Sequence, residues 1–351
     1  MNSGSNTNNN EKGVEVRTHD IPIADAMTEF MKEGWAASPL TGITAHPSIP
    51  YTKLRRDKLS KQYVGKRLIF PSGSLKVRSN DSDYQFRAHS AFSWFTGIVA
   101  SDCVPDSLFV MEPNGSGHEA LLFIHPRSPR NDSEFYKDTR FGEFWVGRRM
   151  TLEETETKYG IKVRQIESIE EFLKDKKDTL LVRGEDSAVD KLVAENTDSE
   201  KEFQNYISVM RAVKDKYEID EMQKAIDASV RGFADMVRVF PAATSVARGE
   251  RVIEAAFYGR ARLEGNDNGY PSIVASGAHA CVLHWIKNDG DVLPGDLILI
   301  DAGVEVESHY TADITRTFPV NGKFTEAQRK IYMIVYKAQQ AGIAAVKPGA
   351  K

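Results

Sequence analysis

The sequence predicts an α/β protein built in two parts, and three observations carry that prediction. Short apolar runs alternate with helical periodicities over residues 25–185. A charged, polar stretch interrupts the pattern at 186–205. A second alternation follows over 206–351, in which the aliphatic run Leu297-Ile-Leu-Ile delivers a carboxylate at Asp301-Ala-Gly303. A chain of 351 residues has room for two domains.

Composition narrows the class. Apolar content of 41% and charged content of 27% are ordinary for a globular protein, and a net charge of −4 gives no electrostatic footprint for nucleic acid. No window reaches the ~18 apolar residues of a membrane span. The start of the chain is rich in Asn, Ser and Gly and lacks the apolar segment of a secretory signal. Residues 1–24 read as a disordered tail. Cys103 and Cys281 could pair, but reduced thiols in a cytoplasmic protein are the expectation.

Taken in order, residues 25–65 read as helical, broken by Pro39, Pro47 and Pro50. Residues 65–71 read as a strand. Residues 107–111 and 120–124 form a hairpin about Asn114-Gly115-Ser116-Gly117. A helix over 151–159 stops at Gly160, and another over 168–174 has Ser168 as N-cap with Glu171 three residues on. Residues 180–182 are a short apolar strand. The linker, or a first connecting helix, falls at 186–205. Asp215, with Glu218 three positions later, caps a long helix whose Ile219, Met222, Ile226, Val230, Phe233 and Val237 predict one buried face; Pro241 ends it. A second helix takes in Val252, Ile253, Ala256 and Phe257. Strand-like pieces follow at 272–275, 282–284, 296–301 and 314–320. Thr325 and Gln328 form the capping box of a last helix, with Ile331, Ile334, Val335, Ala338, Ala341 and Gly342 as its packing face.

The chemistry centres on Asp301 and Asp313. Asp313 heads a strand, Ile314 to Val320, that Asn321-Gly322 closes as a turn. Two paired strands can hold these aspartates side by side, and adjacent carboxylates repel unless a cation sits between them. Oxygen donors of this kind suit manganese or magnesium. The alternative is a strand-ending turn, for which Asp and Gly are common residues. The basic clusters at 53–58 and Arg148-Arg149 read as solvated faces, and Phe92, Trp94 and Phe95 as core rather than a pocket.

The second part resembles the pita-bread metallopeptidases, in their aminopeptidase P and prolidase branch. The residues that carry the likeness are Met210-Arg-Ala-Val-Lys214, Ile273-Val-Ala-Ser-Gly277, Leu283-His284-Trp285, Pro294-Gly-Asp-Leu297, Asp301-Ala-Gly303 and Thr311-Ala-Asp-Ile-Thr-Arg-Thr-Phe-Pro319. The first part resembles the N-terminal domain that this branch shares with creatinase, through Asn80-Asp81-Ser-Asp83, Phe92-Ser-Trp-Phe-Thr-Gly97 and Trp145-Val-Gly-Arg-Arg149.

The resemblance implies a creatinase-like N-terminal α/β domain followed by a pita-bread (α+β) catalytic domain that this chain carries only in part. It implies two divalent ions, manganese first among them, with Asp301 as a terminal ligand and Asp313 as a bridge. A metal-bridging water would attack the peptide carbonyl. His284 matches the histidine that contacts substrate; by itself it reads as a hydrogen-bonded histidine at a strand end. His279 and His309 read as loop residues. The implied partners are peptides with proline at the second position and further copies of the chain, with no nucleic acid or membrane. The family's remaining ligands are a histidine and two glutamates. The 38 residues after Asp313 hold no histidine and one acidic residue, Glu326. The expectation is therefore a chain that stops within its second domain, binds metal weakly and is inactive alone. The alternatives are an Xaa-Pro dipeptidase (prolidase) and a non-catalytic scaffold on the same fold. Creatinase itself works without the metal pair, and here both aspartates are present.

Overall fold

The computed structural model describes residues 24–80, 82–175 and 177–350, so the expected tail before residue 24 and Asp81 lie outside the described residues. The chain divides into two compact units, Met1–Val213 and Lys214–Lys351.

The first unit is built on a mixed sheet in the order β6-β5-β4-β1-β7, formed by β1 (Arg67–Pro71), β4 (Leu108–Asn114), β5 (Gly117–Ile124), β6 (Lys162–Gln165) and β7 (Thr179–Leu181). The hairpin of β4 and β5 is antiparallel in the expected place, while β7 lies parallel to β1 and β6 parallel to β5. A small ribbon, β2 (Val77–Ser79) with β3 (Ser82–Asp83), stands apart from this sheet. Side chains alternate with the pleat, and both faces are buried. Leu68, Phe70, Phe109, Met111 and Leu122 share one core with Leu59, Phe92, Phe95 and Tyr159. Ile69, Leu108, Val110, Leu121 and Phe123 share the other with Ile169, Leu173 and Val189.

Helices cover the two faces: α1 (Asp25–Met31), α2 (Ile49–Gln62), α3 (Ser90–Thr96), α4 (Glu134–Lys137), α5 (Glu143–Val146), α6 (Leu152–Tyr159), α7 (Ile169–Leu173), α8 (Ser187–Leu192) and α9 (Thr197–Ala212). Thr151 caps α6 in a capping box with Glu154, and Gly160 ends it in the left-handed region. The stretch 186–205 holds helices, α8 and the first part of α9, and Phe203 is fully buried in the first core. Two expectations change here. Ser168 does not cap α7, because it is itself helical and its hydroxyl donates back to the Gln165 carbonyl. The basic clusters are solvated only in part, at Lys53 and Lys58. Arg55 and Arg56 are buried and donate to the carbonyls of Trp94 and Phe95 at the end of α3, where a cation suits the helix dipole. Arg148 pairs with Glu154, and Arg149 with Glu134. Phe92, Trp94 and Phe95 are core, as read.

The second unit places α10 (Lys216–Arg238), α11 (Phe240–Ala243) and α12 (Gly249–Glu264) against a sheet ordered β12-β10-β9. Its strands, all antiparallel, are β9 (Ile273–Ser276), β10 (Leu297–Ala302) and β12 (Ile314–Pro319); β8 (Asp267–Asn268) and β11 (Val304–Glu305) make a second small ribbon. The core joins Ile253, Phe257 and Ala261 of α12 to Val274, Ile298, Ile300 and Ala302. Asp215 and Glu218 form the expected capping box of α10, and Thr325 and Gln328 that of α13 (Glu326–Ala345).

Of the apolar stripe expected to be buried on α10, Phe233 is buried, against Phe257, while most of the rest faces away from the core. Ile219 is 56% and Val230 57% exposed, while Ala225, Ala228, Ser229, Gly232 and Met236 are buried. The cause is close helix packing: a Cβ at Gly232 would lie 2.6 Å from the Phe257 ring, so a small residue is required at that point of the α10–α12 contact. The packing face read for α13 is likewise exposed, with no buried residue in that helix. Residues 282–284 are not a strand; they form a loop after a 3-10 turn, Gly277–Cys281. Both cysteines are free, Cys103 buried and Cys281 exposed. Among the described residues no helix is long and apolar enough to cross a membrane.

Candidate metal and peptide site

The strand register builds the site. Within β10, Ile298, Ile300 and Ala302 turn into the helix-packed core, so by the period of two Leu297, Leu299 and Asp301 take the opposite, half-open face. Asp301 is paired with Thr315 on β12 and Ile273 on β9. Ala302 faces Ile314, so Asp313 stands one residue before β12, beside the end of β10. Gly303 makes that approach possible. A Cβ there would come within 1.6 Å of the Ala312 carbonyl oxygen. Its φ is not positive, so the glycine of Asp301-Ala-Gly303 serves a close chain crossing rather than a tight turn.

The structure brings Asp301 and Asp313 to one phenol. Tyr270 Oη donates to Asp301 Oδ1 at 2.5 Å and lies 3.3 Å from Asp313 Oδ1. Thr315 Oγ1 donates to Asp301 Oδ2 at 2.7 Å. Burial first, then hydrogen bonding and the negative charge of the two aspartates, push the Tyr270 phenol well above its ordinary value, so it stays a donor. A phenol has one proton, so it can serve only one carboxylate at a time. Asp313 is exposed and Asp301 half-buried. Two carboxylates sharing one donor form a centre with spare lone pairs, and such an all-oxygen set fits a hard divalent cation. Among the described residues no group of three or more His, Cys, Asp and Glu gathers in metal-binding range, so these two aspartates are the donors on view.

His284 sits elsewhere. It is exposed in the loop after the 3-10 turn, and no hydrogen bond or ion pair joins it to the aspartates. His309, with positive φ, lies in the turn after β11. His279 is no simple loop residue: it stacks on Trp285 at 3.8 Å and bonds to Glu250 at 2.9 Å. Sequence reasoning missed Tyr270 and Glu250. Tyr270 stands two residues before the Ser272 strand start, a weak signal. Glu250 falls in a helical first turn, where acidic residues are common.

Comparison with known proteins shows the family. The profile described as metallopeptidase family M24 matches residues 220–351, and that of the aminopeptidase P N-terminal domain matches 52–182. Xaa-Pro aminopeptidase 2 of Streptomyces coelicolor is 44% identical over 331 residues, 93% of this chain and 69% of the relative. The chain belongs to the aminopeptidase P family of M24 metallopeptidases. Xaa-Pro aminopeptidase 1 of the same organism is 45% identical over 332 residues, and the chain spans 66% of its length. A low-pH form of aminopeptidase P from Escherichia coli superposes with a TM-score of 0.72 at 26% identity, covering 87% of this chain and 70% of that one. A zinc-substituted form of the same enzyme with product gives 0.71. The two-domain α/β architecture of the aminopeptidase P family is therefore the architecture of this chain, with its mixed sheet in the first unit and the pita-bread fold in the second.

Proposed function

We propose that the protein carrying this chain is a metal-dependent aminopeptidase that releases the N-terminal residue preceding a proline. The observation that supports this reading is the convergence of Asp301 and Asp313 on the single Tyr270 hydroxyl, in a chain of the aminopeptidase P family. Asp301 and Asp313 would hold two divalent ions, manganese being the ion this oxygen set suits. Bound there, the ions supply a water acid enough to attack a peptide carbonyl near neutral pH. The chain's own residues divide the remaining work. Tyr270 and Thr315 fix the rotamer of Asp301 by donating to one oxygen each. Asp313, exposed, would be the aspartate that an entering peptide meets first. His284, exposed on its loop, would meet substrate and donate to the oxygen that gains charge at the scissile bond. A dedicated pocket is needed because the bond before proline lacks the N–H that other aminopeptidases engage. Homo-oligomerisation and a reducing, cytoplasmic setting belong to the same proposal, the latter supported by two free thiols.

The test is release of the first residue from an Xaa-Pro-Xaa tripeptide with added manganese, with Xaa-Pro dipeptide alongside. Turnover of the tripeptide that disappears in Asp301→Ala is the expected result. Turnover of the dipeptide alone would identify a dipeptidase instead. A protein that binds manganese yet cleaves neither would favour the scaffold reading.

A further inference from the structure

We propose that Glu250 is the positioning residue of the His284 loop, acting through His279 and Trp285. The inference deepens the aminopeptidase reading and rests on it for its catalytic consequence. Glu250 is fully buried in the first turn of α12, and its carboxylate is surrounded by four donors. Oε1 accepts from the Ser276 N–H at 2.8 Å and from His279 Nδ1 at 2.9 Å. Oε2 accepts from Trp285 Nε1 at 2.8 Å and from the Gly290 N–H at 2.8 Å. A carboxylate only accepts, so His279 donates through Nδ1. The Glu250 N–H in turn donates to the Gly290 carbonyl at 3.2 Å.

The four donors are not scattered. Ser276 and His279 open the 277–290 loop, and Trp285 and Gly290 close it. One carboxylate thus ties both ends of the segment to α12. His279 and Trp285 stack face to face across it, with rings 21° from parallel. Buried Asn288 adds a second tie, accepting from the Val274 N–H and donating to the Ser272 carbonyl. Between the anchors the tip is open. His284 is exposed, Leu283 is 87% exposed, and within the tip the Ile286 N–H donates to the His284 carbonyl. A loop fixed at its base by a buried ion and left open at its tip presents a histidine in a defined place without occupying its ring nitrogens. Removing the carboxylate takes the common acceptor from all four donors, and deleting one donor leaves a buried carboxylate oxygen one bond short and weakens the tie at that end of the segment.

The experiment compares Trp285→Phe, which removes only the indole donor and keeps the stack, with Glu250→Gln in the intact protein. Amide hydrogen exchange over 277–290 is expected to speed up about tenfold or more in both, as expected when a buried hydrogen bond is lost, with β10 protection unchanged. Peptidase kcat is expected to fall about tenfold with little change in KM, and neither substitution should add to the loss caused by His284→Ala. Unchanged exchange in Trp285→Phe, or full additivity with His284→Ala, would overturn the proposal. If the whole protein carrying this chain shows no turnover, the aminopeptidase reading fails, whereas inactivity of the 351-residue chain alone is the expected result; in either case the exchange measurement decides whether Glu250 anchors the loop. If Glu250→Gln does not fold, Trp285→Phe carries the test alone.

Discussion

The second unit holds two carboxylate centres that are satisfied in opposite ways. Glu250 is buried completely and receives four hydrogen bonds, two per oxygen. Asp301 and Asp313 lie at an open strand end, with one phenol between them and one threonine hydroxyl on Asp301. The first arrangement is complete: charge, lone pairs and donors match, and nothing is left for a ligand. The second has more acceptor capacity and negative charge than its donors can use. The contrast teaches that a carboxylate's role is read from its surplus rather than from its burial. A satisfied one organises structure, and an unsatisfied pair awaits a cation.

Removing each centre should therefore have different consequences. Glu250→Ala leaves four donors without an acceptor, and unfolding in urea should show a loss of about 3–5 kcal/mol, the range for breaking one side of a buried charged network. Asp301→Ala, measured without metal, removes one of two repelling charges and should shift stability by no more than about 0.5 kcal/mol in either direction. Equal losses at both positions would erase the distinction. An effect between these two is expected from Tyr270→Phe, which deletes the shared donor: about 1 kcal/mol of stability by the same urea assay. A loss several times larger would mean that the pair depends on that proton and is a structural centre like Glu250.

Glu154 supplies the intermediate case, in the first unit. Its Arg148 ion pair, its role in the α6 capping box and the Arg148 charge outweigh burial and hold its carboxyl at about 2 instead of 4.5. The folded value is depressed, so the unfolded chain binds the proton more readily. The contribution to stability is complete above about 4.5 and is lost as pH falls through about 2. Glu154→Gln should flatten the pH dependence of stability within that window and leave it unchanged at pH 7 to 8. An unchanged acid limb would show the pair to be solvent-screened.

Much of this was legible in the sequence because local chemistry decided it. The capping boxes at Asp215 and Thr325 depend on residues three apart, and the β4–β5 hairpin on a turn between alternating runs. Asp301 and Asp313 were visible because strand ends and turn residues fix where each falls. What failed depended on partners distant in sequence. The α10 stripe of Ile219, Ile226 and Val230 has helical period, but period does not say which face a neighbour will take, and Phe257 needs the small face. Tyr270 joins the site across 31 residues, and Glu250 gathers donors up to 40 residues away. Neither distance leaves a local pattern. Ser168 failed as a cap because a 3-10 turn before it made its own backbone helical.

The most direct test of the account is manganese binding by calorimetry to the parent protein and to the Asp301→Ala and Asp313→Ala variants. The account predicts that binding in the parent is weakened by each substitution and lost when both are made, with Glu250-dependent loop protection unaffected. Manganese that binds the doubly substituted protein as well as the parent would contradict it, because the ion would then sit on residues other than the two aspartates that share Tyr270.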